Sequence, residues 1–93
     1  MSLPKVSIIT VVYNNQEKIQ GAIQSVLKQD YSNIEYIVID GNSNDGTISA
    51  IEEYLDQIDC FISSPDKGIY DALNKGIELS TGEIIGILHS DDL

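Results

Sequence analysis

The sequence alternates between short apolar runs and amphipathic segments, and this alternation restricts the possible folds more than any other feature. Four runs rich in β-branched residues predict strands over residues 5–12, 34–40, 60–63 and 83–88. These runs are almost continuously apolar, which is typical of strands that are covered on both faces. The pattern therefore favours a buried parallel sheet over an antiparallel sheet with one solvent-exposed face.

Three segments between these strands carry apolar residues at helical spacing. Polar residues suited to begin each helix precede them: Asn14 or Asn15, Asp45, and Asp66. Asn14 together with Glu17, three residues later, resembles a capping box. The apolar positions are Ile19, Ile23, Val26 and Leu27 in the first segment, Ile48, Ile51 and Leu55 in the second, and Ile69, Ala72, Leu73, Gly76 and Ile77 in the third.

The resulting β-α-β-α-β-α-β order predicts one α/β domain with a parallel sheet and right-handed crossovers. In such folds ligands bind beyond the carboxyl ends of the strands. All four predicted strands are followed by polar, turn-forming residues, at positions 13–15, 40–43, 63–68 and 89–92. We therefore expect a ligand site at this edge of the sheet.

Length and charge exclude several classes of protein. The chain has 93 residues, enough for one small domain, and its 15 acidic and 5 basic residues give a net charge of −10. Binding to a phosphate backbone needs a basic face, so nucleic acid is rejected as a main partner. No apolar run approaches the roughly 20 residues of a membrane span. The single cysteine, Cys60, is typical of a buried small residue and predicts a reducing, cytoplasmic location.

Two adjacent carboxylates, Asp91 and Asp92, follow the last predicted strand. Paired carboxylates at a strand end bind hard cations such as Mg²⁺ or Mn²⁺ through oxygen. A cation held there offsets the charge of a diphosphate. The alternative is a solvated turn with no ligand, but the position beyond a strand of the predicted sheet favours the metal site.

Three other residues near the same edge are open to two interpretations each. Asp40 either accepts hydrogen bonds from a base or ribose, or caps the turn that follows it. Lys67 is either a phosphate ligand near the start of the third helix or a surface lysine. Tyr13 either stacks on a base or packs at the strand end. The chain has neither GxGxxG nor GxxxxGK[ST], so the fingerprints of dinucleotide-binding and P-loop proteins are absent.

Two long stretches resemble family 2 glycosyltransferases of the GT-A fold. They are VSIITVVYNNQEKIQGAIQSVLKQDYSNIEYIVIDGNSNDGT and ALNKGIELSTGEIIGILHSDD, and the segment PDKGIYDALNKGI further resembles bacterial members that build surface polysaccharides. The resemblance runs from about residue 5 to residue 92. It implies a Rossmann-like sheet with strand order 3-2-1-4 and a domain, residues 1–93, that binds a nucleotide-diphosphate sugar.

The resemblance also implies roles for particular residues. Val11 and Tyr13 correspond to the nucleotide site beside the first strand, and Asp40 to the contact with the base. Asp91 and Asp92 correspond to the DXD-type metal motif, and Asp91 also to the nucleotide site. The implied cofactor is Mg²⁺ or Mn²⁺.

The sequence departs from the family pattern at three places. Residues 40–43 read Asp-Gly-Asn-Ser, whereas the family usually has Asp-Asp-Gly-Ser. His89 stands where the metal motif often begins with an aspartate. Leu73 stands where the family commonly has an arginine, so Lys67 is expected to supply the phosphate contact instead.

The expected reaction is transfer of a sugar to a hydroxyl of a glycan or lipid-linked acceptor, with inversion, at the inner face of the membrane. A carboxylate general base is expected beyond Leu93, so we expect this stretch to hold only the donor and metal half and to be inactive alone. The alternatives are a non-catalytic nucleotide- or metal-binding α/β module and a nicotinamide oxidoreductase. A receiver-like module usually has its acidic pair after the first strand, where this chain has Tyr13-Asn14-Asn15.

Overall fold

The computed structural model describes residues 4–29, 31–65 and 68–89. Strands and helices alternate along the chain, and a short 3-10 helix, Leu55–Gln57, follows the second helix. The predicted strand bounds agree with the structure to within one residue. The elements are β1 Val6–Val12, α1 Gln16–Leu27, β2 Ile34–Asp40, α2 Thr47–Glu52, β3 Cys60–Ser63, α3 Ile69–Leu79 and β4 Ile84–His89.

The four strands form one parallel sheet in the order β3-β2-β1-β4, which confirms the predicted α/β architecture and strand order. The register brings the carboxyl ends of the strands level with one another. Val12 lies opposite Asp40, and Asp40 lies opposite Ser63. On the other side of β1, Val11 lies opposite His89. The loops that leave β1, β2 and β3 therefore begin side by side at one edge.

Helices cover both faces of the sheet, as the continuous apolar strands predict. On one face α1 and α2 pack over a cluster that includes Val12, Tyr36 and Val38, and on the other α3 packs mainly over β1 and β2. At the β4 edge this cover is incomplete: Ile84, Ile85 and Ile87 are 51%, 42% and 47% exposed. Nowhere in the described ranges is a helix both long and apolar enough to traverse a bilayer.

The capping box predicted at the start of α1 is wrong. The helix begins at Gln16 with Asn15 as the N-cap residue, so Asn14 lies outside it. Asn14 has a φ of 45°, and its side-chain oxygen accepts a hydrogen bond from the amide of Asn44 at 2.9 Å. A contact with a loop 30 residues away has taken the place of the local cap that was predicted with Glu17.

At the start of α2 the N-cap residue is Gly46, one position after the predicted Asp45, but the Asp45 carboxylate still bonds to the helix start. Its Oδ1 accepts a hydrogen bond from the amide of Thr47, the first helical residue, at 2.8 Å. An otherwise unpaired amide of the first turn is thereby satisfied. The predicted start of the third helix, Asp66, lies outside the described residues.

Replacing Gly76 by alanine is expected to destabilise the domain by about 1–2 kcal/mol. A Cβ at Gly76 would lie 2.6 Å from Cγ2 of Ile9, a fully buried β-branched residue that cannot turn away. The clash outweighs the higher helix propensity of alanine. Gly86→Ala is the matched control, because its Cβ would lie 3.9 Å from Ile8. Urea unfolding of both variants tests this; equal stabilities would contradict it.

A second prediction concerns pH and the edge of the sheet opposite the strand ends. Glu35 accepts hydrogen bonds from the amide of Thr81 at 2.9 Å and the hydroxyl of Ser7 at 2.8 Å. The amide of Thr81 is the main cause that holds the pKa of Glu35 below its usual value of 4.5, and the opposing cost of burial is smaller. The side-chain bonds from Ser7 and Thr81 and the charge of Lys5 lower the pKa further.

Because the pKa of Glu35 is lower in the folded state, its carboxylate stabilises the fold above pH 4.5. That contribution is lost as the pH falls from 4.5 through the folded-state pKa. We expect Glu35→Gln to be less stable than wild type at pH 7, and the difference to shrink below pH 4.5. Urea unfolding at pH 7 and in the acid range measures it; a difference that stays constant would contradict the prediction.

Candidate functional site

Asp40, the last residue of β2, is at the centre of the candidate site. Its side chain is fully buried, and both carboxylate oxygens accept hydrogen bonds. Oδ1 accepts from the hydroxyl of Ser43 at 2.6 Å, and Oδ2 accepts from the amide of Ser43 at 2.9 Å and the hydroxyl of Ser63 at 2.8 Å. Asp40 therefore fastens its own turn and joins β2 to the end of β3, which supports the turn-capping alternative from the sequence.

Ser43 extends these contacts to β1. Its hydroxyl donates to Asp40, so an oxygen lone pair is left to accept the amide of Asn14 at 2.9 Å. Asn14 in turn accepts the amide of Asn44 at 2.9 Å. We call Asn14, Asp40, Ser43, Asn44 and Ser63 the strand-end network. It connects the ends of β1, β2 and β3 through hydrogen bonds.

A second set of bonds joins the start of α1 to the start of α2. The amide of Asn15 donates to Oγ1 of Thr47 at 2.9 Å, and the amide of Gly46 donates to Oε1 of Gln16 at 3.1 Å. Thr47 also donates its hydroxyl to Asp45, and this bond is the main cause that lowers the pKa of Asp45. A Cβ at Gly46 would lie 2.5 Å from the amide carbon of Gln16, so any other residue there would displace the exposed Gln16 side chain and break its bond to this loop. The two loops are thus held as one unit.

The structure separates the roles of the two residues predicted beside β1. Tyr13 follows the strand directly and is 60% exposed, so its ring is available to a ligand. Val11 is 5% exposed and packs in the core cluster with Ile39 and Ala72. Its side chain is therefore unavailable to a ligand, and only its main chain remains for the predicted contact.

Three of the predicted site residues, Lys67, Asp91 and Asp92, lie outside the described residues. Within the described ranges, no group of three His, Cys, Asp or Glu side chains is placed to hold a metal ion. β4 ends at His89, opposite Val11 of β1, and the two aspartates follow in the sequence. Carboxylates are the ligand type that Mg²⁺ and Mn²⁺ prefer. The assignment of Asp91 and Asp92 as metal ligands therefore stays a prediction.

The sequence analysis missed Lys75. Its ammonium group lies 3.2 Å from the hydroxyl of Ser64 and 3.1 Å from the carbonyl oxygen of Pro65, just after β3, and 3.6 Å from a carboxylate oxygen of Asp71. A positive charge on α3 is thereby brought to the strand-end side of the sheet. The only available signal was a lysine in a helical segment, a pattern that is also typical of an ordinary surface residue.

Ser43 and Ser63 were missed as well. Each is a small polar residue in a turn or at a strand end, and the turn-capping alternative for Asp40 did not specify either of them as its partner. The density of Asn, Ser and Gly over residues 41–46 did indicate a turn. It could not indicate which side chain would bridge to β1.

Comparison with known proteins gives a family match over nearly the whole chain. The model of glycosyl transferase family 2 matches residues 7–93. An uncharacterized glycosyltransferase of Mycobacterium tuberculosis is 39% identical over 92 residues, which is 98% of this chain and 35% of the relative. The UDP-Glc:alpha-D-GlcNAc-diphosphoundecaprenol beta-1,3-glucosyltransferase WfgD of Escherichia coli is 38% identical over 89 residues, which is 95% of this chain and 35% of the relative.

A solved structure shares the arrangement of strands and helices. The mannosyltransferase PcManGT from Pyrobaculum calidifontis, in complex with GDP-Man and Mn²⁺, superposes with a TM-score of 0.86 and 29% sequence identity. The match covers 95% of this chain and 28% of the mannosyltransferase. This chain thus spans roughly a third of the length of the relatives it matches.

Proposed function

Because the chain belongs to glycosyl transferase family 2, we propose that residues 1–93 form the donor-binding part of an enzyme that transfers a sugar from a nucleotide diphosphate to a hydroxyl acceptor. The observation that carries this proposal is the strand-end network, which ties three strand ends into one platform with the exposed Tyr13 beside it. Ligands of parallel α/β sheets bind at this edge. The GDP-Man in the structurally similar mannosyltransferase supports a nucleotide sugar as the ligand class.

The described residues divide into groups that touch the nucleotide and groups that shape its site. We assign the base or ribose contact to the exposed ring of Tyr13, with the main chain of Val11 at the inner limit of the site. Asp40 shapes the site, because its carboxylate is already occupied by three hydrogen bonds. A direct contact from Asp40 to the nucleoside, as the family resemblance implies, would have to compete with those bonds.

The diphosphate needs positive charge in a chain that carries a net charge of −10. We assign this role to Lys67, with Lys75 as a second cation near the end of β3, and to a divalent ion held by Asp91 and Asp92. Mg²⁺ or Mn²⁺ would supply neutralisation of the leaving diphosphate when bound. The Mn²⁺ in the mannosyltransferase complex supports this assignment.

We further propose that the acceptor is a glycan or a lipid-linked sugar of a bacterial surface polysaccharide, and that transfer takes place on the cytoplasmic side of the membrane. The name of the similar Escherichia coli enzyme, which gives a diphosphoundecaprenol-linked acceptor, supports that class. Such a transfer requires a carboxylate general base to deprotonate the acceptor hydroxyl. We assign that base to no residue of this chain.

Calorimetric titration of the chain with UDP, GDP and NAD, each with Mn²⁺ and with a chelator, tests the proposal. We expect UDP or GDP to bind much more tightly when Mn²⁺ is present than when the chelator is, and NAD to bind more weakly than either. Tighter binding of NAD would favour the oxidoreductase alternative. If Mn²⁺ bound but neither UDP nor GDP did, the non-catalytic metal-binding module would be favoured.

A further inference from the structure

Asn14 is held in a backbone conformation that non-glycine residues rarely adopt. Its φ of 45° lies in the left-handed region, and in the described part of the chain it shares a positive φ with only one other non-glycine residue, Asn42. Asparagine tolerates this region better than most residues, but the conformation persists only where surrounding contacts impose it. At Asn14 those contacts come from a loop that is distant in sequence.

Two hydrogen bonds fix Asn14, one on its main chain and one on its side chain. Its amide donates to Ser43 Oγ at 2.9 Å, and its Oδ1 accepts the amide of Asn44 at 2.9 Å. The peptide unit that donates to Ser43 is the one that joins Tyr13 to Asn14. This bond therefore fixes the orientation of that peptide and, with it, the main chain of Tyr13. Ser43 is itself anchored, because it bonds twice to the buried Asp40.

We infer that Asn14 is a positioning residue, which acts through Tyr13 to present the tyrosine ring to the base of the nucleotide. The inference rests on the proposed function, since the base is the group that the ring is held for. A base stacks on an aromatic side chain and gains binding free energy from the contact. If the ring is mobile before binding, the entropy lost when it is immobilised offsets part of that gain. Asn14, which follows Tyr13 in the chain, restricts the tyrosine in this way before the ligand binds.

Three substitutions separate the side-chain bond of Asn14 from its left-handed backbone conformation. Asn14→Ala removes the side-chain acceptor and disfavours the left-handed conformation. Asn14→Gly allows the conformation but still removes the acceptor. Asn14→Asp keeps an acceptor oxygen and tolerates the conformation, so it serves as the conservative rescue. The share of the nucleotide affinity that depends on the base should be largest in wild type and Asn14→Asp, smaller in Asn14→Gly and smallest in Asn14→Ala.

The binding arm compares UDP with inorganic pyrophosphate, each with Mn²⁺, on the 93-residue chain. We expect Asn14→Ala to weaken UDP binding about fivefold or more, the scale of a partly lost stacking contact, and to leave pyrophosphate binding unchanged. In a Tyr13→Ala background the Asn14→Ala change should add no further loss. An equal loss for pyrophosphate, or full additivity with Tyr13→Ala, would overturn the inference.

A second arm needs no nucleotide and so separates this inference from the proposed function. Hydrogen exchange should show the Asn44 amide protected in wild type and Asn14→Asp and unprotected in Asn14→Ala. NMR relaxation should show faster motion of the Tyr13 ring in Asn14→Ala only. If both hold and no nucleotide binds, the proposed function fails while the positioning stands. If nucleotide binds and the ring motion is unchanged, the positioning inference is wrong.

Discussion

Asp40→Asn is expected to lower the free energy of unfolding by roughly 2–4 kcal/mol, the cost of leaving buried donors without their acceptor. The carboxylate accepts three hydrogen bonds, and an amide offers one oxygen and one NH₂ group in the same space. If the new amide oxygen takes the place of Oδ2, it still accepts from the Ser43 amide and the Ser63 hydroxyl, but the NH₂ group then faces the Ser43 hydroxyl, which loses its acceptor. In the opposite orientation two donors lose theirs. The total free energy of unfolding of a native protein is only about 5–15 kcal/mol, so this loss is large.

Urea unfolding at neutral pH tests this prediction by comparing Asp40→Asn with Asp45→Asn as the matched control. Asp45 lies in the same turn, but it is exposed, and its bonds go to Thr47 at its own helix start and to the amide of Gln16, where water can replace it, so its loss should be much smaller. Ser63→Ala should fall between them, because it removes one of the three donors and leaves the other two in place. If Asp40→Asn and Asp45→Asn were equally stable, the central role of Asp40 would be refuted.

Asp92→Asn is expected to weaken Mn²⁺-dependent nucleotide binding by about 10- to 100-fold, equivalent to roughly 1–3 kcal/mol for the loss of a charged ligand. The physical reason is that a carboxylate both coordinates the cation and offsets its charge, and an amide oxygen does only the first. Lys67→Ala should weaken binding less, since one ammonium group carries half the charge of a divalent cation and its attraction to phosphate is screened by water and salt. Calorimetry with UDP or GDP measures both variants.

The chelator experiment completes this comparison. With Mn²⁺ removed, wild type and Asp92→Asn should bind nucleotide equally weakly, while Lys67→Ala should still show its deficit. Asp40→Asn should weaken nucleoside binding with or without metal, measured at a temperature where the variant is folded. Wild-type binding that is unchanged by chelator would show that the two aspartates do not act through a metal ion.

The strands and their order follow from the sequence because their physical cause is local or topological. Nearly continuous β-branched runs such as residues 34–40 have few alternatives to a doubly covered strand. Alternation with amphipathic segments then forces parallel pairing. The order 3-2-1-4 needed the family resemblance in addition, since alternation alone leaves the position of the last strand open.

The contacts of the strand-end network lie beyond such reasoning, because each joins residues that are far apart in the chain. Asn14 was expected to cap the adjacent helix, a local role, and instead bonds to Asn44, 30 residues away. Asp40 could be given two roles from sequence, and its burial and its bonds to Ser43 and Ser63 in the structure favour turn capping. The same holds for Lys75, whose significance depends on where α3 lies relative to the end of β3.

The incomplete cover over β4 determines how the chain behaves at high concentration. A strand without Lys, Pro or an acidic residue has none of the usual features that prevent edge-to-edge pairing, and β4 reads Ile-Ile-Gly-Ile-Leu-His. The net charge of −10 opposes the association of copies. Screening by salt, or neutralisation toward the isoelectric pH near 4.1, removes that repulsion. Colloidal stability should therefore be higher in dilute buffer at neutral pH than in concentrated salt or near pH 4.1.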